Sequence, residues 1–226
     1  MPAICILLWK SFFYNTHMQL FTSDNFQQLC NELGERDAVF KAILNEYSYP
    51  PMWTREPSFA TLIHIILEQQ VSLASAKAAF IKLQEKTGGI TPERLLLLTD
   101  EELRACYFSR QKTVYARHLA EAFIAEKIQL HLFNTQTDEA IRSALTQIKG
   151  IGNWTVDIYL LFALQRTDVF PTGDLAMINA LKEVKALAKT TTKETLILLA
   201  EAWRPYRSIA TMLLWHYYIK KRNIKL

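Results

Sequence analysis

Apolar residues recur every three to four positions along most of the chain. That spacing belongs to one buried face of an α-helix rather than to the alternation of a strand. The longest such stretch is FATLIHIILEQQVSLASAKAAFIKLQEK, residues 59–86. Its middle, QQVS, predicts a break between two helices, and Gly88-Gly89 predict its end. Helix starts are marked by side chains that can accept a free backbone amide. Ser23 is expected to cap FQQLCNEL, and Thr91, with Pro92 at the first helical position, to open ERLLLL. Thr99 with Glu102, and Thr191 with Glu194 ahead of TLILLAEAW, have the spacing of a capping box. Pro50, Pro51 and Pro57 punctuate the approach to the long stretch. There are six glycines and no Asn-Gly or Asp-Gly pair, so hairpins of strands are not expected. The pattern predicts an all-α fold, and no uncharged run of ~20 residues suggests a membrane span.

Composition narrows the picture slightly. The 226 residues are 50% hydrophobic, which suits one compact unit or two small lobes sharing a core. Charged residues make up 21% without a long like-charge run, which argues against disorder. The net charge of +4 and a pI near 8.9 permit a polyanionic partner without requiring one. Cys5, Cys30 and Cys106 are odd in number and far apart, which speaks against a disulfide framework and for a reducing compartment. None has zinc-ligand spacing, and three cysteines cannot supply the four ligands of an iron–sulfur cluster. The first 17 residues, MPAICILLWKSFFYNTH, are apolar but interrupted by Lys10. They are too short to span a bilayer and lack the basic start and cleavage site of a signal peptide. Met18 offers a second start, and no role is assigned ahead of it.

The chemistry concentrates between Asp138 and Asp174. An amphipathic helix, EAIRSALTQI, runs into the short turn KGIG, and a second helix, NWTVDIYLLFAL, begins at once. Gly150 and Gly152 allow a tight turn and close approach of another backbone. The free amides at the start of the second helix can then hold a phosphate, with Lys149 beside them. An ordinary αα-hairpin with a glycine turn would read the same way. Further on, Pro171 and Gly173 make a turn that sets Asp174 at the start of LAMINAL. A plain N-cap aspartate explains that placement. The same geometry favours negative charge there, and a fixed carboxylate can stabilise a sugar oxocarbenium ion or orient a water.

KGIGNWT, joined to Asp174 through DVFPTGD, resembles the helix–hairpin–helix signature of the DNA glycosylase superfamily. FATLIHIILEQQVSLASAKAA, FSRQKTVYARHLAEAF and AEAWRPYRSIATMLLWHYY resemble its DNA-3-methyladenine glycosylase II branch. The resemblance covers residues 57–219 or so. It implies two helical lobes flanking a DNA-binding cleft, one of residues 18–57 with 175–226, the other of 58–174 with the hairpin. It implies a monomer that binds double-stranded DNA containing damaged bases, flips out an alkylated purine of the 3-methyladenine or 7-methylguanine type, and hydrolyses its N-glycosidic bond. In this scheme Asp174 is the catalytic carboxylate. Trp154 and Trp215, with Tyr159 nearby, line the base pocket, where an indole face suits a cationic alkylated purine. Gln70 is the wedge that fills the gap in the duplex, and Lys149, Gly150, Gly152 and Thr155 contact DNA. No cofactor is required. A monovalent cation on the backbone carbonyls of Thr146, Ile148 and Ile151 is implied by the hairpin.

Bifunctional members carry a lysine nucleophile where this chain has Trp154. An indole cannot form a Schiff base, so the implied product is an intact strand with an abasic site. Two departures stand out: the family often has glycine where this chain has Tyr107, and LAMINAL lacks an expected basic residue after Asp174. The alternatives are a related glycosylase for another lesion, or a non-enzymatic damage-binding module. The expected compartment is the cytoplasm, on the nucleoid, in a bacterium and the nucleus in a eukaryote.

Overall fold

The computed structural model describes residues 20–224. Among the described residues there is no strand, only an isolated bridge between Leu20 and Arg166. The helices are α1 (Phe26–Arg36), α2 (Ala38–Tyr47), α3 (Phe59–Glu68), α4 (Leu73–Thr87), α5 (Pro92–Leu96) and α6 (Asp100–Ala105). They continue as α7 (Arg110–Ile124), α8 (Asp138–Leu145), α9 (Asn153–Phe162), α10 (Leu175–Val184), α11 (Lys193–Ala200) and α12 (Arg207–Lys221). The all-α expectation holds. The segment ahead of Met18 and Cys5 lie outside the described residues. No described helix is long and apolar enough to cross a membrane.

Short polar side chains start most helices. Thr91 caps α5 with Pro92 in the first turn, and Thr99 with Glu102 closes a full capping box on α6. Such a cap contributes about 1 kcal/mol. The long apolar stretch breaks where QQVS lies: Gln69 leaves the helical conformation, Gln70 turns to φ +58, and Ser72 caps α4. Gly88, left-handed at φ +63, ends α4.

Two starts differ from expectation. Ser23 does not cap α1. Its hydroxyl turns to Asp24, while Asn25 accepts the Thr22 amide at 2.7 Å and so builds the turn ahead of the helix. In α11 the cap is Thr192 rather than Thr191, because the Thr191 amide is held in the preceding turn by the Ala188 carbonyl. Helix α8 also stops at Leu145, short of the predicted Ile148.

The helices pack in two groups. In one, α12 lies against α1, α2 and α10. In the other, α3 lies against α4, α7 and α9. Each group is built around a helix buried on nearly all sides. Leu62, Ile63, Ile65 and Ile66 of α3 are fully buried, as are Ile209, Met212, Leu213 and Leu214 of α12. Burying one such side chain stabilises the fold by roughly 1.5–3 kcal/mol. The chain passes between the groups in the segment that follows α9 and carries Asp174.

Candidate active site

The hairpin is a turn with reasons for its glycine. Gly150 has φ +96, and a Cβ there would overlap the ring of Tyr115 from α7. Only glycine meets both demands. Ile148 and Ile151 are buried beneath the turn, and the Ile151 amide donates to the Ile148 carbonyl at 3.0 Å. Gly152 is extended, and a Cβ there would meet nothing within 4 Å. It leaves bare backbone facing outward. Helix α9 begins at once, without a side-chain cap. Its first amides therefore have solvent or a ligand as partner, and a helix N-terminus favours an anion. Lys149 is exposed beside them. Arg142 braces the start of α9 from α8, bonding Asp157 at 2.6 Å and the Asn153 side chain at 3.3 Å. Burial raises the Asp157 carboxyl above its ordinary range, and Arg142 acts against that rise.

The 69–72 turn is tied to this hairpin. The Gln69 side-chain amide donates to the Gly150 carbonyl at 2.9 Å and to the Thr155 hydroxyl at 3.0 Å. Gln70, next in sequence, is exposed. An open groove of ≈ 470 Å³ runs between the two turns, with Gln70 and Val71 on one side and Gly150–Gly152 on the other.

Asp174 meets the same end of α9, through Trp154, the second residue of that helix. The Pro171–Asp174 turn packs so closely that a Cβ on Gly173 would lie 3.4 Å from the Trp154 Cβ. Asp174 caps α10, its Oδ1 accepting the Met177 amide at 2.8 Å. The same oxygen accepts the Trp215 indole N–H at 2.9 Å, and Oδ2 accepts that of Trp154 at 3.2 Å. All three partners are donors, the complement of a carboxylate's charge. Asp174 is itself half-buried, so its carboxylate is neither sealed in nor free to rotate. Trp215 packs against Phe162 at a tilt, ring centres 5.4 Å apart, and Arg55 lies over the Phe162 ring at 5.2 Å. Arg55 is held in turn by Glu68, at 2.6 and 3.0 Å.

Two expected site residues fall elsewhere. Tyr159 is fully buried with its ring edge-on to Phe133. Five positions along a helix turn a side chain through about 140° from Trp154, which points Tyr159 into the core. It is a packing residue, and burial pushes its hydroxyl's pKa upward. The Thr155 side chain is also buried, and its hydroxyl serves Gln69. Only its backbone amide remains for an external acceptor. Sequence reading missed Gln69, whose only signal was the doubled glutamine, and missed that both indoles aim their N–H groups at Asp174.

Residues 63–205 match the model of the HhH-GPD superfamily of base excision DNA repair proteins. The chain belongs to that family. It is 34% identical over 168 residues to DNA-3-methyladenine glycosylase 1 of Schizosaccharomyces pombe, covering 73% of each chain. It is 26% identical to the DNA-3-methyladenine glycosylase of Saccharomyces cerevisiae, covering 85% of this chain and 79% of that one. Among solved structures, it resembles the S. pombe 3-methyladenine DNA glycosylase in complex with abasic DNA, with a TM-score of 0.78 and 30% identity. That match covers 88% of this chain and all of the other. A DNA-3-methyladenine glycosidase from Bacillus halodurans matches with a TM-score of 0.71 and 27% identity over 92% and 95% of the two chains.

Proposed function

We propose that this chain is a monofunctional DNA glycosylase that removes alkylated purines in base excision repair, with Asp174 as its catalytic carboxylate. The observation that carries the assignment is the Asp174 carboxylate, clamped by a backbone amide and two indole N–H groups, one of them from the second residue of the helix that follows the hairpin. The hairpin amides and Lys149 hold a phosphate of the damaged strand. Gln70 enters the space left when the nucleotide swings out, at a cost of a few kcal/mol that damage lowers. The glycosidic bond electrons leave with the cationic base, and Asp174 stabilises the positive charge that develops on the sugar. Water then adds to the anomeric carbon and releases its proton to solvent, and the strand stays intact because Trp154 offers no amine to attack it. The indole faces of Trp154 and Trp215 are the natural seat for a cationic purine. The enzyme works where chromosomal DNA is, on the nucleoid of a bacterium or in a eukaryotic nucleus.

A monovalent cation on the Thr146, Ile148 and Ile151 carbonyls belongs to the same reading. The Ile148 oxygen already accepts one amide and keeps a second lone pair, so an all-carbonyl donor set fits a hard, weakly charged ion there. Its support is structural, and no catalytic step passes through it.

The decisive experiment incubates the protein with methylated DNA and identifies released bases by chromatography. Release of 3-methyladenine or 7-methylguanine without strand cleavage is expected. Asp174→Asn, which still accepts the Met177 amide, should retain the fold and lose about 100-fold or more in rate. Release that survives the substitution would sink the assignment of Asp174. DNA binding without any release would identify a damage sensor instead.

A further inference from the structure

The described chain crosses between the two helix groups twice. It returns through the segment that carries Asp174, and it goes out through residues 48–58, which join α2 to α3 outside any helix. Arg55 lies on that outward crossing. Its amide donates to the carbonyl of Phe162, the last residue of α9, at 2.9 Å. The last carbonyls of a helix lack partners within it, so this bond satisfies one of them. The Arg55 guanidinium lies over the Phe162 ring and meets Glu68 in a two-pronged pair at 2.6 and 3.0 Å. Glu68 is the last residue of α3 and is 9% exposed.

A pair placed this deep is a weak source of stability. Taking both charges out of water cancels much of their attraction, and apolar side chains of similar size hold a fold as well. What the pair supplies is direction, because the planar fork of an arginine on a carboxylate sets the guanidinium in one place. His64, one turn earlier on α3, stacks on Phe80 and lies 3.7 Å from the same carboxylate. Burial holds the His64 pKa below 6.5, so at neutral pH Arg55 is the charged partner of Glu68.

The direction matters because of what Phe162 supports. Trp215 packs against Phe162, and its indole N–H donates to Asp174 at 2.9 Å. A continuous line of contacts therefore runs from Glu68 through Arg55, Phe162 and Trp215 to the carboxylate. Gln69, next after Glu68, is bonded to the hairpin at Gly150. Two successive residues at the end of α3 thus reach the hairpin on one side and the support of Asp174 on the other.

We propose that Arg55 and Glu68 are positioning residues for base release. Their pair fixes the end of α9 against Trp215 and keeps that indole N–H on Asp174 while positive charge develops on the sugar. This rests on Asp174 acting as the catalytic carboxylate, as stated above.

The test uses the double variant Arg55→Met/Glu68→Leu, because removing one partner alone would strand a buried charge and endanger the fold. The double variant should melt near the parent temperature and bind a duplex carrying a stable abasic-site analogue like the parent. Its single-turnover release of base from methylated DNA should fall about tenfold, the effect of losing one hydrogen bond to a charged group. In a Trp215→Phe background the same two substitutions should change the rate by less than about twofold, since the bond they act through is already gone. The indole N–H proton resonance of Trp215, assigned by its loss in Trp215→Phe, should move upfield in the double variant without DNA. Any of four results overturns the proposal: an unchanged release rate, an unmoved resonance, a full further loss in the Trp215→Phe background, or a double variant that fails to fold. Base release by the parent is scored separately. Its absence sinks the glycosylase reading, while the resonance, read without DNA, still tests the hold of the pair on Trp215.

Discussion

Asp174 takes three hydrogen bonds on two oxygens, and the two from indoles come from opposite ends of the sequence segment that builds the site. A Trp215→Phe substitution removes one donor and keeps an aromatic ring on Phe162. The expected result is a fall in kcat of about tenfold, the equivalent of one hydrogen bond to a charged group, with little change in DNA affinity. Single-turnover kinetics alongside a binding titration will separate the two. A buried histidine in the same helix makes a different prediction. His216 is buried against the Tyr47 carbonyl at 2.9 Å, and burial holds its pKa below 6.5. The unfolded chain therefore takes up a proton at a pH where the folded protein does not. That contribution to stability is present above pH 6.5 and is lost as pH falls below it. The melting temperature should drop as pH falls from neutrality toward 5, and the slope should flatten in His216→Gln. At this scale the sequence was a fair guide to which residues matter and a poor one to what their atoms do. Asp174 reads as a cap and a carboxylate in sequence, and both readings hold in the geometry. No spacing shows which edge of an indole faces an aspartate, and only the helical angle from Trp154 separates the core residue Tyr159 from a pocket residue.

The elements succeed or fail on their turns. Capping residues followed by a good first turn were legible, as at Thr91-Pro92 and Thr99–Glu102, because the hydrogen bonds are local. Ser23 and Thr191 misled because a neighbour one or two positions on competes for the same role, and tertiary context chooses between them. The tie between the 69–72 turn and the hairpin was not legible at all, since it joins residues 81 positions apart. Two substitutions probe that tie. Gly150→Ala combines a strained φ with a collision against Tyr115, so it should destabilise the protein by about 2 kcal/mol or more and weaken DNA binding markedly. Removing the ring as well, in Gly150→Ala/Tyr115→Ala, should not restore the loss, because the backbone strain remains. Gln69→Ala should cost about 1 kcal/mol and loosen Gln70 against the hairpin. The measurement is denaturant unfolding of each variant beside duplex binding. Gln69→Ala binding abasic duplex as tightly as the parent would show that the two turns act independently.

At the scale of the whole molecule, two buried helices, α3 and α12, each gather a group of partners, and the segment after α9 sets the carboxylate where the groups meet. The helical periodicity foretold the all-α class, while an arrangement in two lobes was implied only by the family resemblance. Which helices pair was less visible, since pairing depends on side-chain shape across long separations. Charge is the last property that only the whole chain displays. A net charge of +4 is modest, with 26 basic residues against 22 acidic ones, and many of the arginines are already committed. Arg142 pairs with Asp157, Arg207 with Asp168, and Arg55 with Glu68. Lys149, beside the hairpin amides, is in no such pair among the described residues, so its contribution to a phosphate contact can be measured by itself. Each phosphate neutralised by a cation adds about one unit to the slope of log affinity against log salt. Lys149→Gln should therefore reduce the parent's slope by about one while leaving the preference for damaged over undamaged duplex unchanged. A titration of both proteins on both duplexes across a range of salt concentrations measures this directly. A Lys149→Gln slope equal to the parent's would remove Lys149 from the phosphate grip and leave that task to the amides of α9.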